Sequence, residues 1–405
     1  MWRTYVNGIS GDAPAEFQTS VTGNTDLLTE ILLRLPPKSL LRFQTVCKDW
    51  FSIISSQRFR LLHCRRKHSS GKVDGLFFCW WVYGNNHVDF IPINGMPKKQ
   101  MGMIPLAFKN IVKCTSSKIE SLHSCNGLFC INFNLGVENQ VYYVYNPSTN
   151  QHRSIQLPAG TELRQVILMN LAFDPMVSDS YRLVCVIKSN GVYEFSVYSS
   201  ETGIWKDSKE ILDIKQEYFL AQGVFLNGCM HWVSENGSFL RFELDSLCFK
   251  MMPSTVIPNG MLKRNIRYFG QSSGHLHLIE VQGFSSMSFE VLELESDYSK
   301  WFVKYLVDLS SLRTMYPQML SEEFDLVDVN RRTCNVVVCI VVDDKEQTTR
   351  FLVSTPDVII EYDSRCMIIK EVAIVEKGKI PVMWEDVSVF EWYDAHRYVE
   401  TMACV

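Results

Sequence analysis

The chain has 405 residues and a formal net charge of −4 at pH 7, and 46% of its residues are hydrophobic. This length allows two or three domains, and the composition is that of a globular protein with a substantial core. The small negative charge gives no reason to expect nucleic acid or an anionic membrane as the main partner.

Residues 1–22 lack the apolar stretch of a secretory signal, and we expect them to form a disordered N-terminal segment. The longest aliphatic run, from Val336 to Val342, is too short to span a bilayer. The thirteen cysteines are scattered without a Cys-x-x-Cys pair, so buried free thiols are favoured over disulfides or zinc ligands. These features predict an intracellular protein in the cytoplasm, the nucleus or both.

Residues 23–68 have the apolar periodicity of short helices. Leucine and isoleucine residues from Leu27 to Leu35 fall on one face of a 3.6-residue period. Pro36 and Pro37 end this first helix, and Pro37 suits the first turn of a second one. A third helical segment is expected around Trp50. Three helices of this size bury little surface alone, so the surplus of apolar residues predicts a covering partner or domain.

The order of these residues resembles a known family. Leu27-Leu28-Thr29-Glu30-Ile31-Leu32-Leu33-Arg34-Leu35-Pro36, then Lys38-Ser39-Leu40-Leu41-Arg42-Phe43 and Val46-Cys47-Lys48-Asp49-Trp50, is similar to the plant-type F-box. The family usually opens with Leu-Pro, whereas this chain has Gly23-Asn24 there. The resemblance implies a Skp-type adaptor as partner. The residues that it implies at this interface are Leu27, Leu28, Ile31, Leu32, Leu35, Pro36, Leu40, Leu41, Val46 and Trp50. The alternative is that several of them, with Phe43, form the core of the module.

Residues 75–405 are expected to form an all-β domain, because period-2 apolar runs and turn signals recur along them. Predicted hairpin turns follow Tyr145, Tyr198, Leu244, Leu294 and Tyr362, which gives steps of 53, 46, 50 and 68 residues. A period near 50 is typical of kelch-like propeller blades with about four strands each. The fold class is therefore mainly β with a small N-terminal α module: a three-helix F-box followed by a kelch-like β-propeller of about six blades. A pair of β-sandwiches is the alternative.

The β-domain has a resemblance of its own. Ser124-Cys125-Asn126-Gly127-Leu128, Tyr145-Asn146-Pro147-Ser148-Thr149 and the segment from Gly223 to Trp232 are similar to the F-box-associated domain of plant F-box proteins. The two resemblances together imply a substrate-recognition subunit of an SCF-type E3 ubiquitin ligase. The F-box would bind the adaptor and, through it, a cullin–RING ligase, and the β-domain would bind an unknown client protein. An F-box scaffold that acts outside a cullin ligase is the alternative.

Catalytic and cofactor motifs do not occur in the sequence: there is no His-Glu-x-x-His, Gly-x-Ser-x-Gly, Gly-x-Gly-x-x-Gly or P-loop. His275 and His277 alternate on one strand and share a face, but no third metal ligand is close in sequence. We therefore expect no catalytic residue, no cofactor and no metal, and a non-catalytic receptor. An enzyme that uses the channel of the propeller is a less favoured hypothesis.

Overall fold

A computed structural model of the chain describes residues 25–69, 71, 73–82, 85–93, 102–103, 118–134, 140–161, 165–213, 222–234, 238–255, 265–281, 288–315, 336–343, 348–354, 358–365, 369–374 and 394–405. The predicted N-terminal segment 1–22 lies outside these residues. The described chain begins with a helical module, residues 25–69, and continues as a six-bladed β-propeller. The expected fold class is therefore confirmed.

The helical module contains four helices in its described residues: α1 (Thr25–Leu32), α2 (Pro37–Phe43), α3 (Lys48–Ser55) and α4 (Gln57–His68). Pro36 is the N-cap of α2 and Pro37 its first residue, as predicted. The third predicted segment is two helices, because the backbone becomes extended at Ser56. The Ser56 hydroxyl accepts a hydrogen bond from the Phe59 N–H at 3.2 Å and caps α4.

Each blade of the propeller is an antiparallel sheet of at least four strands. The first two blades contain β1 (Gly75–Val82), β2 (Asn85–Pro92), β3 (Gly102–Met103), β4 (Lys118–Cys125), β5 (Leu128–Asn134), β6 (Gln140–Asn146) and β7 (Gln151–Ile155). Blades 3 and 4 contain β8 (Gln165–Ala172), β9 (Arg182–Ser189), β10 (Val192–Ser199), β11 (Ile204–Asp207), β12 (Leu212–Asp213), β13 (Val224–Leu226), β14 (Cys229–Val233), β15 (Phe239–Glu243) and β16 (Cys248–Met251).

Blades 5 and 6 follow the same plan after β16. They contain β17 (Asn265–Ser272), β18 (His275–Val281), β19 (Ser288–Leu294), β20 (Trp301–Asp308), β21 (Val336–Asp343), β22 (Thr348–Ser354), β23 (Val358–Asp363) and β24 (Ile369–Ile374). A short helix, α5 (Leu312–Met315), lies between β20 and β21, and β25 (Ala395–Tyr398) is the last strand.

The five predicted hairpin turns occupy equivalent places in blades 2 to 6. Each lies between the two outer strands of its blade, at the β6–β7, β10–β11, β15–β16, β19–β20 and β23–β24 connections. The last step is 68 residues because residues 309–335 separate blade 5 from blade 6. The repeat that the sequence predicts is therefore the blade itself.

The C-terminal strand closes the ring. β25 pairs with β1 from Gly75↔Tyr398 to Phe78↔Ala395, so blade 1 takes its innermost strand from the end of the chain. β25 lies beside β4 on one side and β21 on the other. This pairing ties the C-terminal strand to the first blade and so closes the ring.

The two ends of the propeller differ in their connections. The inner strands β4, β13 and β17 end in two-residue turns at 126–127, 227–228 and 273–274, on the end that we call the proximal face. The links between successive blades enter the inner strands at the opposite end, the distal face. These links are residues 104–117, 156–164, 214–223, 252–264, 309–335 and 375–394.

The helical module docks on the proximal face. Arg65 Nε donates to the Pro175 carbonyl at 2.9 Å, and Gln57 hydrogen-bonds to the Asp179 carboxylate, both in the β8–β9 connection. Buried apolar side chains of the module, including Leu28, join one cluster with side chains of blades 2 and 3. The module and the propeller therefore share a hydrophobic core.

The final seven residues, 399–405, form a tail that lies between α4 and blade 2. The side-chain amide of Asn146 donates to the carbonyls of Thr401 at 3.1 Å and Ala403 at 2.8 Å. On the other side, the Thr401 hydroxyl lies 3.0 Å from the Cys64 thiol of α4. Met402 is fully buried. The tail is thus hydrogen-bonded to both domains at once.

Candidate functional site

The helical module leaves four large apolar side chains exposed to solvent, which we call the apolar patch. The patch consists of Leu27, Ile31, Val46 and Phe51, which are 45%, 43%, 59% and 56% exposed. Leu27 and Ile31 are one turn apart on α1, so their side chains lie side by side. An apolar pair of this kind marks a surface for another polypeptide when it belongs to a larger exposed apolar area.

The ten residues predicted at the adaptor interface divide into three groups. Leu28, Leu32 and Leu40 are buried within this chain. Leu35, Leu41 and Trp50 are partly buried. Leu27, Ile31, Pro36 and Val46 are exposed. The ten predicted residues therefore belong to two surfaces, one facing the propeller and the other facing solvent.

The buried group is covered by distant parts of the same chain. Leu28, Leu32 and Leu40 belong to the cluster that contains Leu128 of blade 2 and Met402 of the tail. An adaptor would not reach these three side chains in this conformation. Phe51, which is not among the predicted interface residues, is exposed on α3.

Interior contacts fix the shape of the module beneath the patch. Phe43 and Trp50 pack edge to face with ring centroids 5.3 Å apart, which joins α2 to α3. His63 of α4 is fully buried, and its Nε2 lies 2.9 Å from the carbonyl of Leu35, three residues after α1. Burial lowers the pKa of His63, so a neutral ring that donates to this carbonyl is the form that fits.

The channel of the propeller contains a second group of polar side chains. His123 Nδ1 accepts the Leu171 N–H at 2.7 Å, and Nε2 lies 2.8 Å from the Gly223 carbonyl. The Gly223 N–H in turn donates to Asn170 Oδ1 at 2.5 Å. Burial lowers the pKa of His123 to about 4, so the neutral ring links the inner strands of blades 2 and 3 to the segment that enters blade 4.

The two histidines of β18 in blade 5, His275 and His277, lie close to a carboxylate. His277 Nε2 lies 3.2 Å from Glu293, His275 Nδ1 lies 3.6 Å from it, and Lys304 Nζ lies 3.1 Å from it. Burial acts to raise the pKa of Glu293, but hydrogen bonds from His277 and Lys304 outweigh it and lower the pKa to about 2. In the described part of the chain, no group of three or more His, Cys, Asp or Glu side chains is arranged to hold a metal ion.

Comparisons with known proteins match both domains. A family model described as "F-box protein At3g26010-like, beta-propeller" matches residues 88–370, which is more than half of the chain. The chain belongs to this F-box propeller family. A second model, the F-box domain, matches residues 24–62 and so contains the whole exposed apolar patch.

The relatives found are plant F-box proteins. F-box protein At5g07610 of Arabidopsis thaliana is 28% identical over 341 residues, which cover 78% of this chain and 77% of that protein. F-box protein At4g19940 of the same plant is 28% identical and covers 70% and 71%. F-box protein At5g49610, also from this plant, is 24% identical and covers 72% and 80%.

None of the helices in the described residues has the length and apolar character needed to cross a membrane.

Proposed function

We propose that this F-box protein is the substrate-recognition subunit of an SCF-type E3 ubiquitin ligase. The F-box binds a Skp-type adaptor through the exposed apolar patch, and the adaptor connects the chain to a cullin–RING ligase. The observation that carries the proposal is that the module buries one apolar face against its own propeller and still leaves Leu27, Ile31, Val46 and Phe51 exposed. A groove between partner helices is the kind of surface that receives such side chains.

In this role the chain positions a client without performing chemistry itself. Holding client lysines near a charged ubiquitin-conjugating enzyme raises their effective concentration, which is enough to accelerate transfer. His123 of the channel and His277 of blade 5 already have structural partners, which supports a non-catalytic role. The ten described cysteines are free thiols, as expected for work in the reducing cytoplasm or nucleus.

We further propose that the client binds on the distal face. The F-box occupies the proximal face through Gln57, Arg65 and the tail. Every link between successive blades enters at the distal face, and these links are longer than the two-residue turns opposite them. Since binding residues are concentrated on loops held by a rigid scaffold, the distal face offers the larger recognition surface.

The adaptor contact is tested by pull-down with a Skp-type adaptor and immunoblotting for the cullin. Ile31→Asp places a charge beside Leu27 in the patch and should abolish recovery of both partners, because an unpaired carboxylate would be buried at the interface. Leu306→Asp is the matched control, since Leu306 is 78% exposed on β20 of the propeller and outside the patch. Undiminished adaptor recovery by the Ile31→Asp variant would refute the proposed interface, and adaptor without cullin would favour the scaffold alternative.

The same variant is suited to capturing clients. Deleting the F-box would uncover Leu128 and its neighbours, because the helices cover that part of the propeller core. Ile31→Asp keeps the core and removes the link to the ligase. Proximity labelling with the full-length variant should therefore enrich clients that the parent chain depletes, and equal abundance of every labelled protein in the two samples would argue against a degradative role.

A further inference from the structure

The channel contains a cavity that the proposed function does not use. It has a volume of about 150 Å³ and lies between the inner strands β4, β13, β17 and β25. Ligand pockets for drug-sized molecules are usually about 300–1,000 Å³. The cavity is therefore too small for a nucleotide or a large cofactor, and it is large enough for several water molecules or a small organic ion.

His396 of β25 lines this cavity and is 7% exposed. Its ring makes no hydrogen bond with any described residue, whereas both ring nitrogens of its neighbour His123 lie within hydrogen-bond distance of a partner. Buried polar side chains in native proteins nearly always have a partner. Because the ring of His396 lines the cavity, a molecule in the cavity is the partner available to it.

Arg397 contributes a positive charge to the same cavity. Its guanidinium donates to the Gln271 carbonyl at 2.5 Å, and no described carboxylate is paired with it. Among the described lining residues there is no aspartate or glutamate, so Arg397 gives this part of the lining a positive formal charge. Arginine without a carboxylate partner is well suited to planar or tetrahedral oxyanions, because its N–H groups form a fixed fork.

We propose that the channel cavity binds a small oxyanion, a carboxylate or a phosphate group, between the Arg397 guanidinium and the His396 imidazole. The anion accepts hydrogen bonds from both side chains and so supplies the partner that His396 lacks. Both residues belong to the strand that closes the ring, and the opposite wall of the cavity is formed by blades 4 and 5. Occupancy would therefore stabilise ring closure, independently of adaptor binding.

The test uses the full-length protein with sodium acetate and potassium phosphate as probes and sodium chloride at equal ionic strength as reference. Calorimetric titration should show saturable binding with one site per chain for at least one of the two oxyanions, and the melting temperature should rise with the same midpoint. The acetate and phosphate arms distinguish a carboxylate ligand from a phosphate ligand. Displacement of acetate by phosphate in ligand-observed NMR checks that both use one site without any substitution.

Arg397→Gln removes the charge and should weaken binding at least tenfold. Arg182→Gln is the matched control, because Arg182 is a partly exposed arginine of blade 3 that pairs with Asp245 away from the cavity. If both oxyanions produce no saturable effect beyond that of chloride on the parent chain, the cavity holds only water and the proposal is wrong. Equal affinity in a folded Arg397→Gln variant would also overturn it.

Discussion

Releasing the tail should destabilise both the helical module and the propeller, and the Asn146 side chain holds the tail in place. Asn146 is fully buried and forms three hydrogen bonds: its amide donates to the carbonyls of Thr401 and Ala403, and its carbonyl accepts the Ser148 N–H at 2.9 Å. Asn146→Ala removes all three. At about 0.5–1.5 kcal/mol for each bond, the loss in the free energy of unfolding is about 1.5–4.5 kcal/mol.

Part of this loss should appear as local opening of the tail, because 399–405 is the segment that the amide holds. Hydrogen exchange followed by mass spectrometry should show faster exchange in 395–405 and in α4, which contacts the tail through Cys64. Urea unfolding should give a lower midpoint in the same variant.

Gln151→Ala is the control for this experiment. Gln151 pairs with Asn146 in the β6–β7 hairpin, but its side chain is exposed, so the same type of truncation should change stability by less than about 0.5 kcal/mol. If Asn146→Ala behaves like Gln151→Ala, and exchange in the tail and α4 is unaltered, the tail does not couple the two domains.

Three other features give predictions of their own. Gly127→Ala should lower the urea midpoint more than Gly228→Ala, although both glycines have positive φ. A Cβ at 127 would clash with the Val399 carbonyl of the tail, whereas nothing lies within 4 Å of one at 228. Equal midpoints would contradict the contact with the tail. Cys47 is exposed and follows Val46 of the patch, so its reactivity towards iodoacetamide should fall when the adaptor binds. Cys248, which is partly exposed in blade 4, should keep its reactivity, and site-resolved mass spectrometry measures both. Unchanged labelling of Cys47 in the complex would place the adaptor elsewhere. Burial lowers the pKa of His123 to about 4, below the usual value near 6.5, so its contribution to stability is complete above pH 6.5 and is lost as the pH falls towards 4. The urea midpoint of the His123→Asn variant should therefore depend less on pH between 6.5 and 4 than the midpoint of the parent chain. Identical dependence of the two midpoints on pH would rule out this role.

The sequence predicted most of the local structure, because the signals for it are local. Pro36 and Pro37 lack the N–H that a helix interior needs, so they end one helix and begin the next. Asn126 and Gly127 both have positive φ, as a two-residue hairpin turn with a right-handed twist requires. The spacing of hairpin turns predicted the blades because each blade repeats the same strand order.

The division of the leucine face could not be predicted, because it depends on contacts that are distant in sequence. Leu27 and Leu28 are adjacent and equally apolar, yet the first faces solvent and the second is covered by blades 2 and 3. Helical periodicity shows that a face is apolar but not which polypeptide covers it. Ring closure was missed for a related reason: β25 reads Ala-His-Arg-Tyr and has no apolar alternation, so its pairing with β1 is visible only in three dimensions.

Closing the ring with the last strand has a consequence for synthesis of the protein. Leu28, Leu32 and Leu40 leave the ribosome well before Met402, which helps to cover them. At about 5–20 residues per second, the roughly 360 residues between Leu40 and Met402 take on the order of 20–70 s to translate. For that time the nascent helices present apolar side chains on both faces, so early association with a chaperone or with the adaptor would protect them from aggregation.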